Sequence, residues 1–194
     1  MRDFGAEYLA DLVDQFQKLK ALADQAAART TDEEFFRVID EASNSVAVIM
    51  QHVGGNLRSR WLDVLTSDGE KPDRDRDREF EAAPGATRAR VLEIWETGWR
   101  ITLDQLRALA PADLSRDVFI RGERHSLVQA ANRSLQHTAY HVGQIVFLAR
   151  HLRAHDWQSL SIPRGQSRTF NERMRANVTD NHEVHKNHKD HKDH

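Results

Sequence analysis

The chain has 194 residues, a formal net charge of −2 and no cysteine, so disulfide bonds, thiolate metal sites and a cysteine nucleophile are excluded. A general nucleic-acid-binding protein needs an excess of lysine and arginine, which this chain lacks. Its apolar runs fall far short of the roughly 20 residues that span a bilayer, and its N-terminus lacks the apolar region of a signal peptide. These features predict a cytoplasmic protein that binds neither nucleic acid nor membrane.

Four segments carry apolar residues at the three- and four-residue spacing of amphipathic helices. The first runs from Phe4 to Leu22. The second opens with a capping box, in which Thr31 caps the helix and Glu34 reaches back, and its apolar stripe continues to Leu57. The pattern therefore predicts one uninterrupted second helix.

A long, highly charged crossover, residues 66–86, separates the second helix from the third. The third helix is predicted from Val91 to Leu109 and stops before Pro111. Loops as long as this crossover are uncommon inside compact domains and are commonly functional.

Short segments of β-type residues on either side of Gly122 predict a small β-hairpin before the last helix. That helix begins at Ser126, where Gln129 completes a second capping box, and continues to Leu152. Four amphipathic helices that each bury one face predict an all-α protein, a four-helix bundle.

The helical pattern ends after Trp157, and we assign residues 1–176 to the bundle domain. Residues 177–194 have no apolar content to pack and form a separate low-complexity tail. The tail has a histidine at every third position: His182, His185, His188, His191 and His194. It is interpreted either as a natural metal-sequestering tail or as a purification tag.

Three histidines elsewhere have the arrangement of a metal site. His137 and His141 are four residues apart on the fourth helix, so their side chains share a face and can reach one metal ion. His52 lies beside core positions of the second helix and completes the site if these two helices are neighbours. Three neutral ligands leave a coordination position open for water or substrate. The alternative is a chance HxxxH pair and a hydrogen-bonded core histidine.

Other site types are excluded. The chain has no HExxH motif, no Glu-x-x-His pair on the bundle helices and no phosphate-binding glycine loop. No residue is a convincing general base, although His125, Gln144 or a loop aspartate could assist. His151 and His155 lie near the end of the last helix and are interpreted as exposed or structural.

Two long stretches resemble one branch of the DinB/YfiT-like superfamily of bacterial four-helix bundles. They are QHVGGNLRSRWLDVLTSDGEKPDRDRDREF and LQHTAYHVGQIVFLARHLRAHDWQSLSIPRGQS, and the resemblance covers about residues 1–172. The hallmark of the superfamily is one histidine on the second helix and an HxxxH pair on the last. The resemblance therefore implies that His52, His137 and His141 bind one divalent metal ion. Zn or Ni is expected, although imidazole also suits Cu and Fe.

The same resemblance implies an activity. Some relatives use the metal to activate the sulfur of a low-molecular-weight thiol and act as thiol S-transferases or as thiol-dependent isomerases. Others are described as metal-dependent hydrolases. The resemblance also implies a homodimer that acts on a small-molecule substrate.

The crossover has two interpretations. Arg58, Arg74 and Arg76 lie at the end of the second helix or in the crossover, interleaved with aspartates. They either form exposed ion pairs that contribute little stability, or they bind the carboxylates or phosphates of a substrate bidentately. In the second case they form a substrate-binding set together with Gln144.

Three functions follow from these observations. The leading hypothesis is a metal-dependent enzyme, a thiol S-transferase or a hydrolase, in which the ion activates a thiol or water. The alternative is a non-enzymatic stress protein that sequesters metal. The third is a structural dimeric bundle whose histidines are vestigial.

Overall fold

The structure is a computed structural model that describes residues 2–81 and 85–176. The histidine-rich tail predicted for residues 177–194 lies outside the described residues. The chain divides into two compact units between His155 and Asp156. The assignment of residues 1–176 to one domain stays a prediction.

The predicted all-α fold with a small β-hairpin is confirmed. The helices are α1 (Phe4–Ala28), α2 (Asp32–Phe36), α3 (Val46–Trp61), α4 (Arg88–Ala108) and α5 (Leu127–Leu152). Strands β1 (Asp117–Ile120) and β2 (Glu123–Ser126) form the hairpin, and single 3-10 turns lie at Arg78–Phe80 and Pro111–Ser115. Helices α1 and α3 each pack against both α4 and α5, so these four helices enclose one core.

Both predicted capping boxes are present. The Thr31 hydroxyl accepts from the backbone N–H of Glu34, whose carboxylate accepts from the backbone N–H of Thr31. Ser126 and Gln129 make the same reciprocal pair at the start of α5. Each box satisfies backbone donors that the first turn of a helix leaves without partners.

The prediction of one uninterrupted second helix was wrong. Helix α2 ends at Phe36, and α3 begins after residues 37–45, which are not helical. The Asp40 carboxylate accepts from the backbone N–H of Ala42 and from the Ser43 hydroxyl, a local turn that competes with helix. The Ser45 hydroxyl then accepts from the backbone N–H of Val48 and caps a new helix. Short polar side chains thus interrupt an apolar pattern that would fit one helix.

Large aromatic side chains fill the core between the four long helices. The rings of Phe16, Trp61, Trp95 and Trp99 are all at most 2% exposed and meet edge to face. A Cβ atom on Gly98 of α4 would collide with the backbone of Gly54 on α3, so two glycines permit close approach of these helices. This close packing fixes α3 against its neighbours.

The described part of the crossover is tied to both α3 and the hairpin. The Ser59 hydroxyl on α3 donates to the carbonyl of Gly69, and the backbone N–H of Gly69 donates to the carbonyl of Phe119. The Asp68 carboxylate accepts from the backbone N–H groups of Arg121 and Gly122 at the hairpin turn. Gly122 has a φ of 75°, as that tight turn requires. These hydrogen bonds therefore hold the crossover in an ordered conformation over one end of α3.

In the second unit, residues 167–176 are helical and exposed. Within the described parts of both units, no helix combines the length and apolar character needed to cross a membrane.

Candidate metal site

The structure brings the three predicted histidines together. His52 comes from α3, and His137 and His141 come from successive turns of α5. One potential ligand atom from each ring lies within 4.8 Å of the other two. Because α3 and α5 are neighbours in the bundle, the histidine from one helix meets the pair on the other. The role of these residues as metal ligands stays a prediction.

The geometry of the three imidazoles fits a divalent ion. Nε2 of His52 and Nε2 of His137 are 3.3 Å apart. Two nitrogens bound tetrahedrally to zinc at about 2.0–2.1 Å are separated by about 3.3 Å. An all-imidazole site suits several transition metals, so the group could hold a divalent metal without fixing its identity.

The surroundings of the site favour neutral imidazoles, the state in which histidine binds metal. Burial lowers the pKa of His137 to about 3, and the positive charges of His141 and His52 act in the same direction. Burial also lowers the pKa of His141, against an opposing hydrogen bond to Gln144. These rings therefore keep their lone pairs at neutral pH.

Two polar side chains orient the histidines from outside. Nδ1 of His52 lies 2.9 Å from Oε2 of Glu79, and Nδ1 of His141 lies 2.8 Å from Oε1 of Gln144. Because both partners are acceptors, each ring donates from Nδ1 and directs the lone pair of Nε2 away from them. Such outer hydrogen bonds fix the tautomer and orientation of metal-binding histidines.

Glu79 is itself fixed by an arginine. Nε and Nη2 of Arg74 donate to the two Glu79 carboxylate oxygens at 2.8 Å each, and the Arg74 side chain is only 3% exposed. Burial raises the pKa of the Glu79 carboxyl, but the bonds from Arg74 and His52 outweigh it and the pKa lies below its ordinary value. Glu79 is therefore ionised where it meets His52.

A glycine makes room for this carboxylate. A Cβ atom on Gly55 of α3 would collide with Oε1 of Glu79 and lie 2.9 Å from its carboxyl carbon. The ring of Phe80, next to Glu79, packs on His52 with 4.3 Å between ring centroids. The 3-10 turn at Arg78–Phe80 thus covers His52 from the crossover side.

A cavity of about 190 Å³ opens beside the histidines. Its lining includes His52, His137, Asn56 and Ser134. Five arginines also line it: Arg60, Arg74, Arg76, Arg121 and Arg133. The site therefore has a basic chamber next to it, large enough for a small molecule.

The four residues of the predicted substrate-binding set lie in different places. Arg74 and Arg76 line the cavity, and Arg76 also lies over the ring of Phe80. Arg58 pairs with Asp73 at 2.7 Å and does not line this cavity. Gln144 does not line it either: its side chain is bonded to His141, and it lines a different cavity. Binding of substrate by any of the four stays a prediction.

Sequence reasoning missed Glu79 and the contributions of Arg121 and Arg133. Glu79 is 27 residues from His52, and no helical spacing connects the two. One signal was available in the sequence: Gly54 and Gly55 interrupt a helical pattern, and a glycine there often marks a close approach by another group. That approach turns out to involve both α4 and the Glu79 side chain.

Comparison with known proteins yields one family. The family model described as "Protein of unknown function (DUF1572)" matches residues 3–166, which is most of the chain. No curated protein matches the sequence.

Proposed function

The chain belongs to the DUF1572 family, and we propose that it is a metal-dependent enzyme of the DinB/YfiT-like type. His52, His137 and His141 hold one divalent ion, Zn or Ni, in this proposal. The observation that supports it best is the convergence of three imidazoles, two of them oriented from behind by Glu79 and Gln144, beside a cavity. A purely structural histidine cluster needs no such opening.

The chain's own residues have distinct tasks in this proposal. When bound, the ion acts as a Lewis acid on a thiol or on water at an open coordination position. His52 holds its proton on Nδ1 against Glu79, so its Nε2 stays available as a ligand. Arg74 keeps Glu79 ionised and in place. The cavity admits the substrate to the side of the site lined by His52 and His137.

Between the two chemistries, the lining of the cavity favours thiol transfer. Among the described residues that line it, none is an aspartate or glutamate that could serve as a general base. A free thiol has a lower pKa than free water, so a thiol needs less help from a base to lose its proton. We therefore propose a thiol S-transferase with a low-molecular-weight thiol as cosubstrate, and a hydrolase as the second possibility.

Several further features belong to the same proposal. The small-molecule substrate, the homodimer and the cytoplasmic location all follow from the sequence and from the DinB/YfiT-like resemblance. The non-enzymatic alternative is a stress protein that sequesters metal with the three histidines of the bundle and with the tail at residues 177–194, which lies outside the described residues.

Metal content tests the site directly. The background protein is the full chain with the five tail histidines replaced by alanine, because the tail itself attracts metal. We expect elemental analysis to find about one metal ion per chain, and its loss in a His52→Ala/His137→Ala/His141→Ala variant. His151→Ala, on the exposed face of α5, is the matched control and should keep the ion. A background chain without metal after incubation with zinc and nickel contradicts the proposal.

Turnover separates the chemistries. The metal-loaded background chain is mixed with an electrophile and either bacillithiol or mycothiol, and thiol consumption is followed. Consumption that depends on the three histidines supports thiol transfer. Loss of the electrophile in water without any thiol supports the hydrolase. Bound metal with neither reaction, across a broad panel of electrophiles, supports the sequestering protein.

A further inference from the structure

The cavity beside the three histidines is lined by cations without carboxylates. The residues that line it include five arginines and, within the described chain, no aspartate or glutamate. They come from α3, the crossover, the hairpin and α5, so the cations surround the cavity from several sides. A cavity with this lining attracts anions and repels cations.

Three of the arginines are already crowded around one carboxylate. Arg60, Arg74 and Arg121 all bond to Glu70, and the nearest contact is 2.9 Å from Nε of Arg121 to Oε2. Arg74 is also committed to Glu79. The two carboxylates of Glu70 and Glu79 thus pair with three guanidinium groups, so a net positive charge remains.

The other two arginines add to that excess. Among the carboxylates of the described residues, Arg76 reaches that of Asp77 alone, at 3.9 Å, and the Asp77 side chain is 95% exposed. Arg133, on α5, takes part in none of the ion pairs found among the described residues, and its side chain is exposed at the cavity. Both guanidinium groups therefore keep donors available for a ligand.

Neutral polar groups and size restrict what can bind. Asn56 and Ser134 line the same cavity, and Ser134 accepts a hydrogen bond from Nε1 of Trp61. A volume of about 190 Å³ is well above the roughly 10–15 Å³ that a single water molecule needs. A phosphate group or a small carboxylate fits that space.

From these observations we propose that the cavity binds the oxyanion group, carboxylate or phosphate, of a small-molecule substrate, with Arg76 and Arg133 as its principal ligands. This inference rests on the proposed function, because it places the anionic end of the substrate beside the ion that His52, His137 and His141 hold. Arg60 on α3 and Arg121 at the hairpin turn supply further positive charge to the cavity. The substrate class is thus a small anionic molecule, bound by its charged end while its reactive group faces the histidines.

The test uses inorganic phosphate and acetate as probes. Each is titrated calorimetrically into the full chain with the five tail histidines replaced, in both its metal-free and zinc-loaded forms, at constant ionic strength. The variants are Arg76→Ala, Arg133→Ala and the double substitution. Arg150→Ala, another exposed arginine of α5, is the matched control. Circular dichroism and thermal melting verify that each variant is folded.

We expect the metal-free background chain to bind at least one of the probes, and the tighter probe identifies the preferred group. The double substitution should weaken that binding at least about tenfold, since charge-assisted hydrogen bonds are lost, and the Arg150→Ala chain should bind like the background. Equal binding by the double variant, or no binding of either probe at millimolar concentration, overturns the proposal.

Failure of this inference is distinguishable from failure of the proposed function. If every arginine variant binds zinc and the substitutions do not change anion affinity, the oxyanion site is contradicted but the metal site is not. Arginine-dependent anion binding in a chain that holds no metal removes the metal-centred function, and with it the placement of the substrate beside an ion.

Discussion

The carboxylate of Glu79 lies 2.9 Å from Nδ1 of His52, and both residues are buried. One belongs to the crossover and the other to α3, so the bond connects an irregular segment to a helix of the core. It directs the other nitrogen of His52 towards His137. The crossover is therefore part of the candidate metal site as well as a cover for it.

Replacing Glu79 tests this connection. In Glu79→Ala the His52 ring loses its acceptor, and we expect zinc affinity to fall about 10- to 100-fold, measured by competition with a chromophoric chelator. The buried Arg74 also loses its main partner, so the free energy of unfolding should fall by about 3 kcal/mol. Glu93→Ala, at an exposed site on α4, is the control. Unchanged zinc affinity in Glu79→Ala would show that the hydrogen bond from His52 to Glu79 does not contribute to metal binding.

Gly55 provides a separate test of the same carboxylate. Alanine is favoured over glycine inside a helix by about 1 kcal/mol, but in Gly55→Ala the new methyl group displaces Glu79. We expect zinc affinity to fall while the thermal midpoint shows little or none of the gain expected from helix propensity. Gly143→Ala on α5 has no atom within 4 Å of its new Cβ. The Gly143→Ala control should raise stability and should not change zinc affinity. If Gly55→Ala also raises stability without changing zinc affinity, the steric argument is contradicted.

The metal-free protein should lose stability as the pH falls from 7 towards 5. The pKa of His137 is lowered to about 3, from an unfolded value of 6.5. Between these values the unfolded chain binds more protons than the folded chain, so the free energy of unfolding falls with the pH. Denaturant unfolding at pH 7 and pH 5 measures the difference, which His137→Asn should reduce. The carboxyls of Glu70 and Glu79 have lowered pKa values and stay ionised in this window.

The start of α3 depends on one hydroxyl. Ser45 is 1% exposed and caps the helix at the backbone N–H of Val48. We expect Ser45→Ala to lower the free energy of unfolding by about 1 kcal/mol, and Ser45→Thr to restore much of it. Chemical denaturation is the measurement. No loss in the alanine variant would contradict the contribution of this cap to stability.

The parts of the fold that depend on local spacing could be predicted from the sequence. The two capping boxes and the course of α5 follow from neighbours within one or two turns. The pairing of His137 with His141 is of the same kind. The break before α3 was missed because Ser45 sits beside an apolar stripe, and a stripe alone cannot distinguish a helix start from a helix interior.

Contacts between distant segments were harder to predict. The approach of His52 to the α5 pair required only that two helices be neighbours, which bundle geometry makes common. The position of Glu79 required the course of an irregular crossover, for which periodicity carries no information. Arg121 and Arg133 likewise join the cavity only through the hairpin and the packing of α5.

The histidines and the cavity differ in how freely their residues can change. His52, His137 and His141 are fixed on long helices within the core, where most substitutions destabilise the protein. Arg76 and Arg121 are exposed on the crossover and the hairpin, where substitutions generally cost less stability than they do in the core. If the proposed function holds, relatives can differ in the molecules they accept while they keep the three histidines, and residues of these two segments are the first to compare across the family.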